Sequence, residues 1–245
     1  PILTTKKTAW KTCLKELLWF INGKTNNKLL TNQNVNIWNG NSSREFLDSR
    51  GLTNLKEGDL GPIYGFQWRF FDAKYTSCDE NYEGKGIDQL LNVVNDLKDK
   101  KKRSSRRMIV TAWNPNQINE MALPPCHILF QFNVVDNNKL SCSLYQRSVD
   151  CALGQPFNIA SYSFLTHLIA LHCDLEAYEF IYYMGNVHIY NEHLEKIKIQ
   201  LNRKPYEFPS LKICKKKETL NEYSFNDFIL ENYQHHDQIK MDMIV

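Results

Sequence analysis

The chain has 245 residues, of which 42% are hydrophobic and 23% charged, and its formal net charge is +3. This length can bury a sizeable core, and the composition is that of an ordinary globular protein. The small net charge argues against general nucleic-acid binding, and no apolar run approaches the ~20 residues that a membrane span needs. We therefore expect no membrane partner and no required nucleic-acid partner.

The seven cysteines are scattered along the chain and form no C-x-x-C pair. An odd number without framework spacing predicts reduced thiols, so we expect an intracellular, cytoplasmic protein. The same spacing argues against a zinc site, and we expect no bound metal.

The first half of the chain is predicted to be helical and turn-rich. Apolar residues recur at helical spacing over residues 8–21, and an Asn-Gly pair follows them. Residues 24–60 are polar and rich in turn residues, with a short helix expected at 43–50. A second helix is expected over 87–100. The basic segment KDKKKRSSRR, residues 98–107, is typical of an exposed loop.

The second half is predicted to hold the strands. Three are expected at 108–113, 127–135 and 139–148, and the Asp-Asn-Asn sequence between the last two predicts a hairpin turn. A segment that is apolar nearly all round predicts a central buried helix over 161–173.

The C-terminal part mixes both kinds of element. Residues 179–190 indicate a strand combined with a glycine turn, residues 191–203 an amphipathic helix, and residues 205–213 a final strand. No repeat, linker or domain boundary is visible, and helices and strands do not alternate regularly. This pattern favours an α+β fold over a doubly wound sheet. We expect a single domain, 1–245, with a mixed β-sheet packed with helices on one face.

Cys126 and His127 follow two prolines at the entrance to a predicted strand. A cysteine held there can be a nucleophile, a metal ligand or a small core residue, and the motif by itself favours the core residue. Free cysteine has a pKa of roughly 8.5 and only its thiolate attacks, so a catalytic cysteine needs a cation nearby.

A second polar cluster lies at 145–162. The guanidinium of Arg147 and the hydroxyl of Ser148 suit a phosphate, although an isolated pair is more often a surface salt bridge. A tight turn at Gly154 brings Asp150 and Asn158 into one loop region. The amide of Asn158 can pair with the N3–H and O4 edge of uracil, or can simply cap the loop.

Three further residues are candidates. His188 and Tyr190 are two apart, which places them on one face if they lie in a strand, where they could reach a sugar hydroxyl or satisfy a core histidine. Glu16 sits between leucines on the apolar face of the first helix. A desolvated carboxylate there would be a candidate acid–base group, and the alternative is a side chain that reaches solvent.

Seven segments, matched in order and spacing over almost the whole chain, resemble the thymidylate synthase family. They are KELLWFINGKTN, IWNGNSSREFLDSRG, GDLGPIYGFQWRFF, SRRMIVTAWNP, MALPPCHILFQF, LSCSLYQRSVDCALGQPFNIASYSFLTHLIA and MGNVHIYNEHLEKIKIQLNRKPYEFP. The resemblance implies reductive methylation of deoxyuridylate to thymidylate. The cosubstrate would be 5,10-methylenetetrahydrofolate, which gives one carbon and a hydride and leaves as dihydrofolate.

The resemblance also implies catalytic roles. Cys126 is expected to attack C6 of deoxyuridylate and form a covalent adduct, and Arg147 to touch both the phosphate and the thiol and so favour the thiolate. Glu16 with ordered water is expected to stabilise charge on O4, and a water held by Tyr64 to remove the C5 proton. The implied catalytic set is Cys126, Glu16, Tyr64, His127, Arg147, Asn158 and Asp150.

For the nucleotide, the family pattern expects Asn158 to read the uracil edge and the backbone around Asp150 to meet O2. His188 and Tyr190 are expected to bind the 3′-hydroxyl of deoxyribose. The implied nucleotide set is Arg106, Arg107, Gln146, Arg147, Ser148, Val149, Asp150, Asn158, His188 and Tyr190.

For the folate, the pattern expects a pocket stacked over the nucleotide and closed by residues 243–245. The implied folate set is Ile37, Trp38, Asn41, Asp150, Leu153, Gly154, Phe157, Met243 and Ile244.

The resemblance further implies an obligate homodimer whose interface lies on the other face of the sheet. Arg106 and Arg107 are then expected to act in trans, on the phosphate bound by the partner subunit. The family's N-terminal phosphate loop is expected before Pro1, so the chain is expected to be part of a longer polypeptide, with a fused dihydrofolate reductase upstream as one form of it.

Four positions depart from the family pattern. Val149 stands where many relatives have a small residue, Ala9 replaces a larger side chain, and Asn39 and Asn186 stand where aspartate is common. We expect these changes to affect folate affinity and inhibitor fit rather than the reaction itself.

Two other functions are weighed against this one. A deoxycytidylate hydroxymethylase on the same fold would prefer aspartate where this chain has Asn158. A non-catalytic nucleic-acid binder would use the basic loop 98–107, but Cys126 and Arg147 argue against an inactive scaffold. Both comparisons favour the synthase.

Overall fold

The structure is a computed structural model that describes residues 1–244, and its seven helices and six strands confirm the predicted α+β class. The helices are α1 Trp10–Ile21, α2 Lys28–Thr31, α3 Arg44–Ser49, α4 Gly65–Phe70, α5 Gln89–Lys98, α6 Gly154–His172 and α7 Leu194–Leu201. The strands are β1 Ile109–Thr111, β2 His127–Val135, β3 Lys139–Asp150, β4 Glu176–His188, β5 Ser210–Ile213 and β6 Phe228–Glu231.

The main sheet has the strand order β1-β2-β3-β4. The first three strands are antiparallel neighbours, whereas β4 runs parallel to β3, which makes the sheet mixed as predicted. Parallel neighbours need a crossover connection, and α6 supplies it. The β2–β3 hairpin turns through Asp136 and Asn137, both in the left-handed region that Asp and Asn tolerate. Strands β5 and β6 form a separate two-stranded sheet.

The core lies between α1, α6 and the inner face of the sheet. Phe130 of β2 is fully buried and meets Trp68 of α4 and Tyr162 of α6 edge-on, at ring distances of 5.0 and 5.5 Å. Alternate residues of a strand face one side, so Phe132, Cys142 and their neighbours pack inward in the same way.

The outer face of the sheet carries exposed large apolar side chains among polar ones, and residues 1–244 do not cover them. Ile109, Val135, Tyr145 and Tyr183 lie on it with between 40% and 57% of their surface exposed. Tyr145 and Tyr183 are direct cross-strand partners between β3 and β4. Exposed aromatic side chains are enriched at protein–protein interfaces, so this face is a candidate interaction site.

Three details of the predicted elements are wrong. Residues 179–190 contain no turn, because β4 continues through Gly185; a side chain there would come within 2.8 Å of the Arg147 carbonyl oxygen, so the glycine permits a close approach. Helix α6 begins at Gly154, seven residues before the predicted start. Strand β5 is followed by β6 and is therefore not the last.

No helix within residues 1–244 is both long enough and apolar enough to cross a membrane. All seven cysteines are free thiols, in agreement with their spacing. Within the same residues, no group of three or more His, Cys, Asp or Glu side chains is arranged to hold a metal ion.

Candidate active site

Cys126 is half-buried at the point where the chain enters β2. Its backbone N–H donates to the Tyr64 hydroxyl at 2.8 Å, and its carbonyl accepts from the Arg147 N–H at 2.9 Å. The register of β2 against β3 shifts between His127 and Leu129, directly after the cysteine. This irregularity, together with the two prolines, holds the thiol outside the regular strand.

The Arg147 side chain is anchored against the same loop. Its Nε and Nη2 donate to the carbonyls of Pro125 and Pro124 at 2.8 and 3.1 Å, and Nη2 lies 3.9 Å from Cys126 Sγ. The guanidinium also lies over the ring of Trp113. Burial raises the pKa of the Cys126 thiol, and the charge of Arg147 followed by the hydrogen bond with Tyr64 opposes that rise. The expected influence of Arg147 is therefore present, but burial outweighs it.

Glu16 is buried on α1 and accepts a 2.7 Å hydrogen bond from the indole N–H of Trp38. Burial raises the pKa of Glu16 to about 7, with the hydrogen bond from Trp38 opposing. The carboxyl can therefore hold or release a proton near neutral pH, which a general acid–base group requires.

Tyr64 connects the cysteine to the other buried groups. Its ring stacks on His127 at 4.2 Å and meets Trp38 edge-on at 6.1 Å, while its hydroxyl binds Cys126. Burial lowers the pKa of His127 to about 3, so the imidazole is neutral; its Nδ1 lies 2.8 Å from the Tyr162 hydroxyl. Burial also raises the pKa of Tyr64, which keeps its hydroxyl protonated.

A chain of three polar side chains fixes the direction of the Asn158 amide. The Tyr182 hydroxyl donates to Gln146 Oε1 at 2.6 Å, and Gln146 Nε2 donates to Asn158 Oδ1 at 3.1 Å and to the Ser148 carbonyl at 2.9 Å. Since Asn158 Oδ1 is the acceptor, its amide N–H groups remain available for a ligand. Gln146 is itself buried.

Asp150 ends β3 and holds the start of α6. Its carboxylate accepts from the backbone N–H groups of Ala152, Leu153 and Gly154 at 2.9 to 3.4 Å. The buried Lys6 Nζ donates to the Ala152 carbonyl in the same loop. Burial lowers the pKa of Lys6, and the charge of Asp150 opposes that change.

The ends of β3 and β4 bring further predicted residues together. Asp150 pairs with His188, whose ring lies edge-on to Tyr190 at 5.2 Å. β4 ends at His188, so His188 and Tyr190 do not share the face of a strand. Their rings are nevertheless neighbours. Val149 is fully buried and pairs with Val187 of β4, so none of its surface is exposed.

A family model described as thymidylate synthase matches residues 1–245 of this chain. The chain belongs to the thymidylate synthase family.

Its similarity to curated members of the thymidylate synthase family is high. It is 54% identical to the bifunctional dihydrofolate reductase-thymidylate synthase of Plasmodium berghei (strain Anka), over 99% of this chain and 41% of that protein. It is 51% identical to the thymidylate synthase of Homo sapiens, over 100% of this chain and 77% of that protein. For the bifunctional protein of Paramecium tetraurelia the identity is 50%, and the alignment covers 52% of that relative. The chain thus spans about two fifths of the length of the Plasmodium relative.

Apart from the two C-terminal residues, the residues expected at the folate site lie in the 37–41 loop, at the end of β3 and around the start of α6. Trp38 and Asn41 are buried, whereas Ile37, Leu153, Gly154 and Phe157 are partly exposed. Met243 and Ile244 end the described chain, and Val245, also expected over the folate, lies outside the described residues.

The two arginines expected to act in trans do not reach the cysteine site of their own chain. Arg106 and Arg107 are exposed before β1, and neither guanidinium has a hydrogen bond or ion pair with any residue in 1–244. The Arg106 carbonyl accepts from Gln131, which lies on the outer face of the sheet.

Three departures from the thymidylate synthase pattern have local partners. Asn39 Oδ1 accepts from Asn27 at 2.9 Å, Asn186 Oδ1 lies 3.2 Å from His188 Nδ1, and the carbonyl of Ala9 accepts from the Cys13 N–H at the start of α1. Asn186 therefore contacts one of the residues expected at the sugar.

Two residues of the site were missed from the sequence. Tyr182 orients Gln146, and Lys6 contacts the loop that holds α6. A core-facing strand tyrosine needs a hydrogen-bond partner, which is the only sequence signal for Tyr182. Nothing in the pattern around Lys6 indicates its burial.

Proposed function

We propose that the protein converts deoxyuridylate to thymidylate with 5,10-methylenetetrahydrofolate as cosubstrate. The single observation that carries the proposal is the grouping of three residues in a chain of this family. Cys126 Sγ lies 3.9 Å from Arg147 Nη2, and the Cys126 backbone nitrogen lies 2.8 Å from the Tyr64 hydroxyl. Residues 1–245 would form the synthase domain. Bifunctional dihydrofolate reductase-thymidylate synthases are among its relatives, so a reductase fused upstream is one form of this proposal.

The first step is addition of the Cys126 thiolate to C6 of the uracil ring. A bond forms between Sγ and C6, and the ring electrons move onto C5 and O4 as an enolate. Since burial raises the pKa of the thiol, a nearby group must accept its proton as the nucleotide binds. The charge of Arg147 and the Tyr64 hydroxyl stabilise the thiolate that results.

Charge on O4 is the feature that the remaining polar groups would stabilise. Glu16, with a pKa of about 7, can supply a proton toward O4 through water. Loss of the C5 proton requires a base, and a water bound to Tyr64 is the candidate. His127 stays neutral on the stacked ring of Tyr64 and leaves the charge of the site to Arg147 and Glu16.

Selection of uracil over cytosine follows from the direction of the Asn158 amide. Its N–H donates to O4, and the second lone pair of Oδ1 accepts N3–H, while Gln146 occupies the first. Cytosine offers an amino group and an unprotonated N3 at these positions, so it mismatches both contacts. This supports deoxyuridylate over deoxycytidylate as substrate.

The folate would pack against a partly apolar wall formed by Ile37, Leu153 and Phe157 beside Trp38. Methylenetetrahydrofolate supplies the one-carbon unit and the hydride when bound. Trp38 is held by Glu16, so the wall of the folate pocket and the acid–base group would be fixed together. Met243 and Ile244 would close over it.

The protein would act as a homodimer through the outer face of the sheet. That face exposes Tyr145 and Tyr183, and a second copy would cover it isologously. Arg106 and Arg107 lie at its edge, and within residues 1–244 their guanidinium groups have no hydrogen bond or ion pair, which supports a role at the partner's phosphate site. The rest of the basic loop is partly engaged, since Lys98 donates to His172 and Arg103 to two backbone carbonyls, which argues against a nucleic-acid surface.

The test is release of tritium from deoxyuridylate labelled at C5, assayed with methylenetetrahydrofolate beside thymidylate formation. We expect tritium release and thymidylate to appear in equal amounts, and neither to appear with deoxycytidylate. Tritium release no greater than that of a Cys126→Ser variant would reject the proposed function.

A further inference from the structure

We define the C-terminal tail as residues 232–244. A single hydrogen bond tethers the last part of this tail. His193 Nε2 donates to the backbone carbonyl of Asp242 at 2.9 Å. Among the described residues, no other hydrogen bond joins residues 238–244 to the rest of the chain. The tether therefore lies one residue before Met243, where the tail is expected to meet the folate.

The tail is held more firmly at its other end. The His236 N–H donates to the Thr4 carbonyl at 2.9 Å, and its Nε2 donates to the Lys204 carbonyl at 2.8 Å. Arg203 donates to the Asp237 carbonyl at 2.8 Å. Between these anchors and Asp242, no hydrogen bond joins the backbone to the body within residues 1–244, so the bond from His193 is the one hydrogen bond that restrains the final described residues.

The imidazole of His193 is held in place by its surroundings and donates a hydrogen bond to the tail. It ends the 3₁₀ turn Asn191–His193, is only 1% exposed, and its ring lies edge-on to Tyr190 at 5.9 Å. Because a carbonyl oxygen only accepts, Nε2 must carry the ring proton, and Nδ1 is then an acceptor. Nδ1 is buried and has no hydrogen-bond partner among residues 1–244. A half-satisfied buried imidazole costs free energy, so core packing alone is a poor reason for a histidine here.

We propose that His193 is a positioning residue that holds the tail at Asp242 and thereby places Met243 and Ile244 over the folate site. The hydrogen bond is made to a backbone carbonyl, so it does not depend on the side chain of residue 242. The kinetic consequence rests on the proposed function, whereas the tether itself does not.

The tether can be tested by methyl NMR, because the protein has only five methionines. Met241 and Met243 flank the tethered residue, while Met108 and Met121 are buried and serve as internal controls. In His193→Leu we expect the methyl signals of Met241 and Met243 to sharpen and move toward random-coil positions. The signals of Met108 and Met121 should not move. His193→Gln, which retains a side-chain N–H donor, should stay close to the wild type.

A matched control separates loss of the tether from loss of a buried histidine. His172 is equally buried, at the end of α6, and its partners are Lys98 and Tyr223 rather than the tail. His172→Leu should leave the Met241 and Met243 signals unchanged. If His193→Leu does not fold, His193→Gln and a chain ending at Met241 supply the comparison.

The kinetic test uses His193→Leu and the chain that ends at Met241. We expect His193→Leu to raise the KM for methylenetetrahydrofolate about 3- to 10-fold, the range for one lost hydrogen bond, and to leave deoxyuridylate binding without folate unchanged. In the chain that ends at Met241, His193→Leu should have no further effect.

Three results would separate the claims. Unchanged Met241 and Met243 signals in His193→Leu would overturn the tether. A released tail with an unaltered KM for the folate, in an enzyme that makes thymidylate, would overturn the positioning role. If the wild type makes no thymidylate, the proposed function fails, and the methyl spectra still decide whether His193 holds the tail.

Discussion

The inner and outer faces of the sheet differ in what covers them. Phe130, Phe132 and Leu144 on the inner face are fully buried, with α4 and α6 packed against the sheet, and the groups around Cys126 connect to this core through Tyr64 and His127. The outer face instead exposes Tyr145 and Tyr183.

This difference divides the proposed site into two parts. The part that holds the nucleophile and reads the base is completed by hydrogen bonds within one chain. The part that would bind the phosphate through Arg106 and Arg107 has no partner within residues 1–244 and lies at the edge of the uncovered face. On this proposal, one chain would organise the chemistry, whereas two would be needed to complete the binding site.

The largest effect is expected at the inner part, from Cys126→Ser. A serine hydroxyl at this position is a far weaker nucleophile than a thiolate, so kcat should fall about 10³-fold or more. The fold and deoxyuridylate binding should persist, as judged by thermal unfolding and calorimetry. Near-normal turnover in this variant would show that Cys126 is not the nucleophile.

A second effect concerns the buried carboxyl. Glu16→Gln keeps an acceptor for Trp38 but removes the acid–base function, so kcat should fall by roughly 10²-fold. Recovery of activity at any pH between 5 and 9 would argue against this role.

The same substitution makes a prediction for stability. The pKa of Glu16 is about 7 when folded, above the ~4.3 of a free glutamate, so the folded state binds more protons between these values. Stability should therefore fall as pH rises through this window. Chemical denaturation should find Glu16→Gln more stable than the wild type by about 1–3 kcal/mol at pH 8 and equal to it at pH 4. An equal difference at both pH values would contradict the buried carboxyl.

A charge on the outer face should weaken assembly without disturbing the inner part. Tyr183→Lys would bury an unpaired charge at two equivalent places in an isologous interface, which should raise the dimer dissociation constant by roughly 10- to 100-fold. Sedimentation velocity measures it. Leu201→Lys, on α7 and 78% exposed, is the matched control and should not change association. Equal sedimentation of both variants and the wild type would mean that this face is not the interface.

The smallest effect is expected for base selection. Asn158→Asp removes the amide donor to O4, and a mismatched polar contact costs roughly 1–3 kcal/mol. The ratio of kcat/KM for deoxyuridylate over deoxycytidylate should fall at least several-fold. An unchanged ratio would show that Asn158 does not read the base.

The sequence predicted features that depend on local pattern. Strand β2 has the predicted bounds because an apolar run between two prolines and a turn is a local signal, and the Asp-Asn-Asn turn follows from residues that tolerate a left-handed backbone. The family motifs assigned Cys126, Arg147 and Asn158 to one site, although these residues are up to 32 positions apart in the chain.

What the sequence did not predict depends on non-local packing. Gly185 had the signature of a turn, because a glycine needed for close approach to β3 cannot be distinguished locally from one needed for a bend. Helix α4 has six residues, too few for a periodic pattern. Tyr182 and Lys6 gain their roles only from the β3–β4 register and from the fold around Ala152.

The most direct test of the two-part site is to mix two inactive proteins, Cys126→Ser and Arg107→Gln, by unfolding and refolding them together. In a mixed dimer, an arginine that acts in trans places both defects in one site and leaves the other site intact. Equal mixing makes half of the dimers mixed, so about a quarter of all sites should be whole. Thymidylate formation at about a quarter of the wild-type rate is the predicted result. No recovered activity, with mixed dimers shown to be present by mass spectrometry, would contradict the shared site.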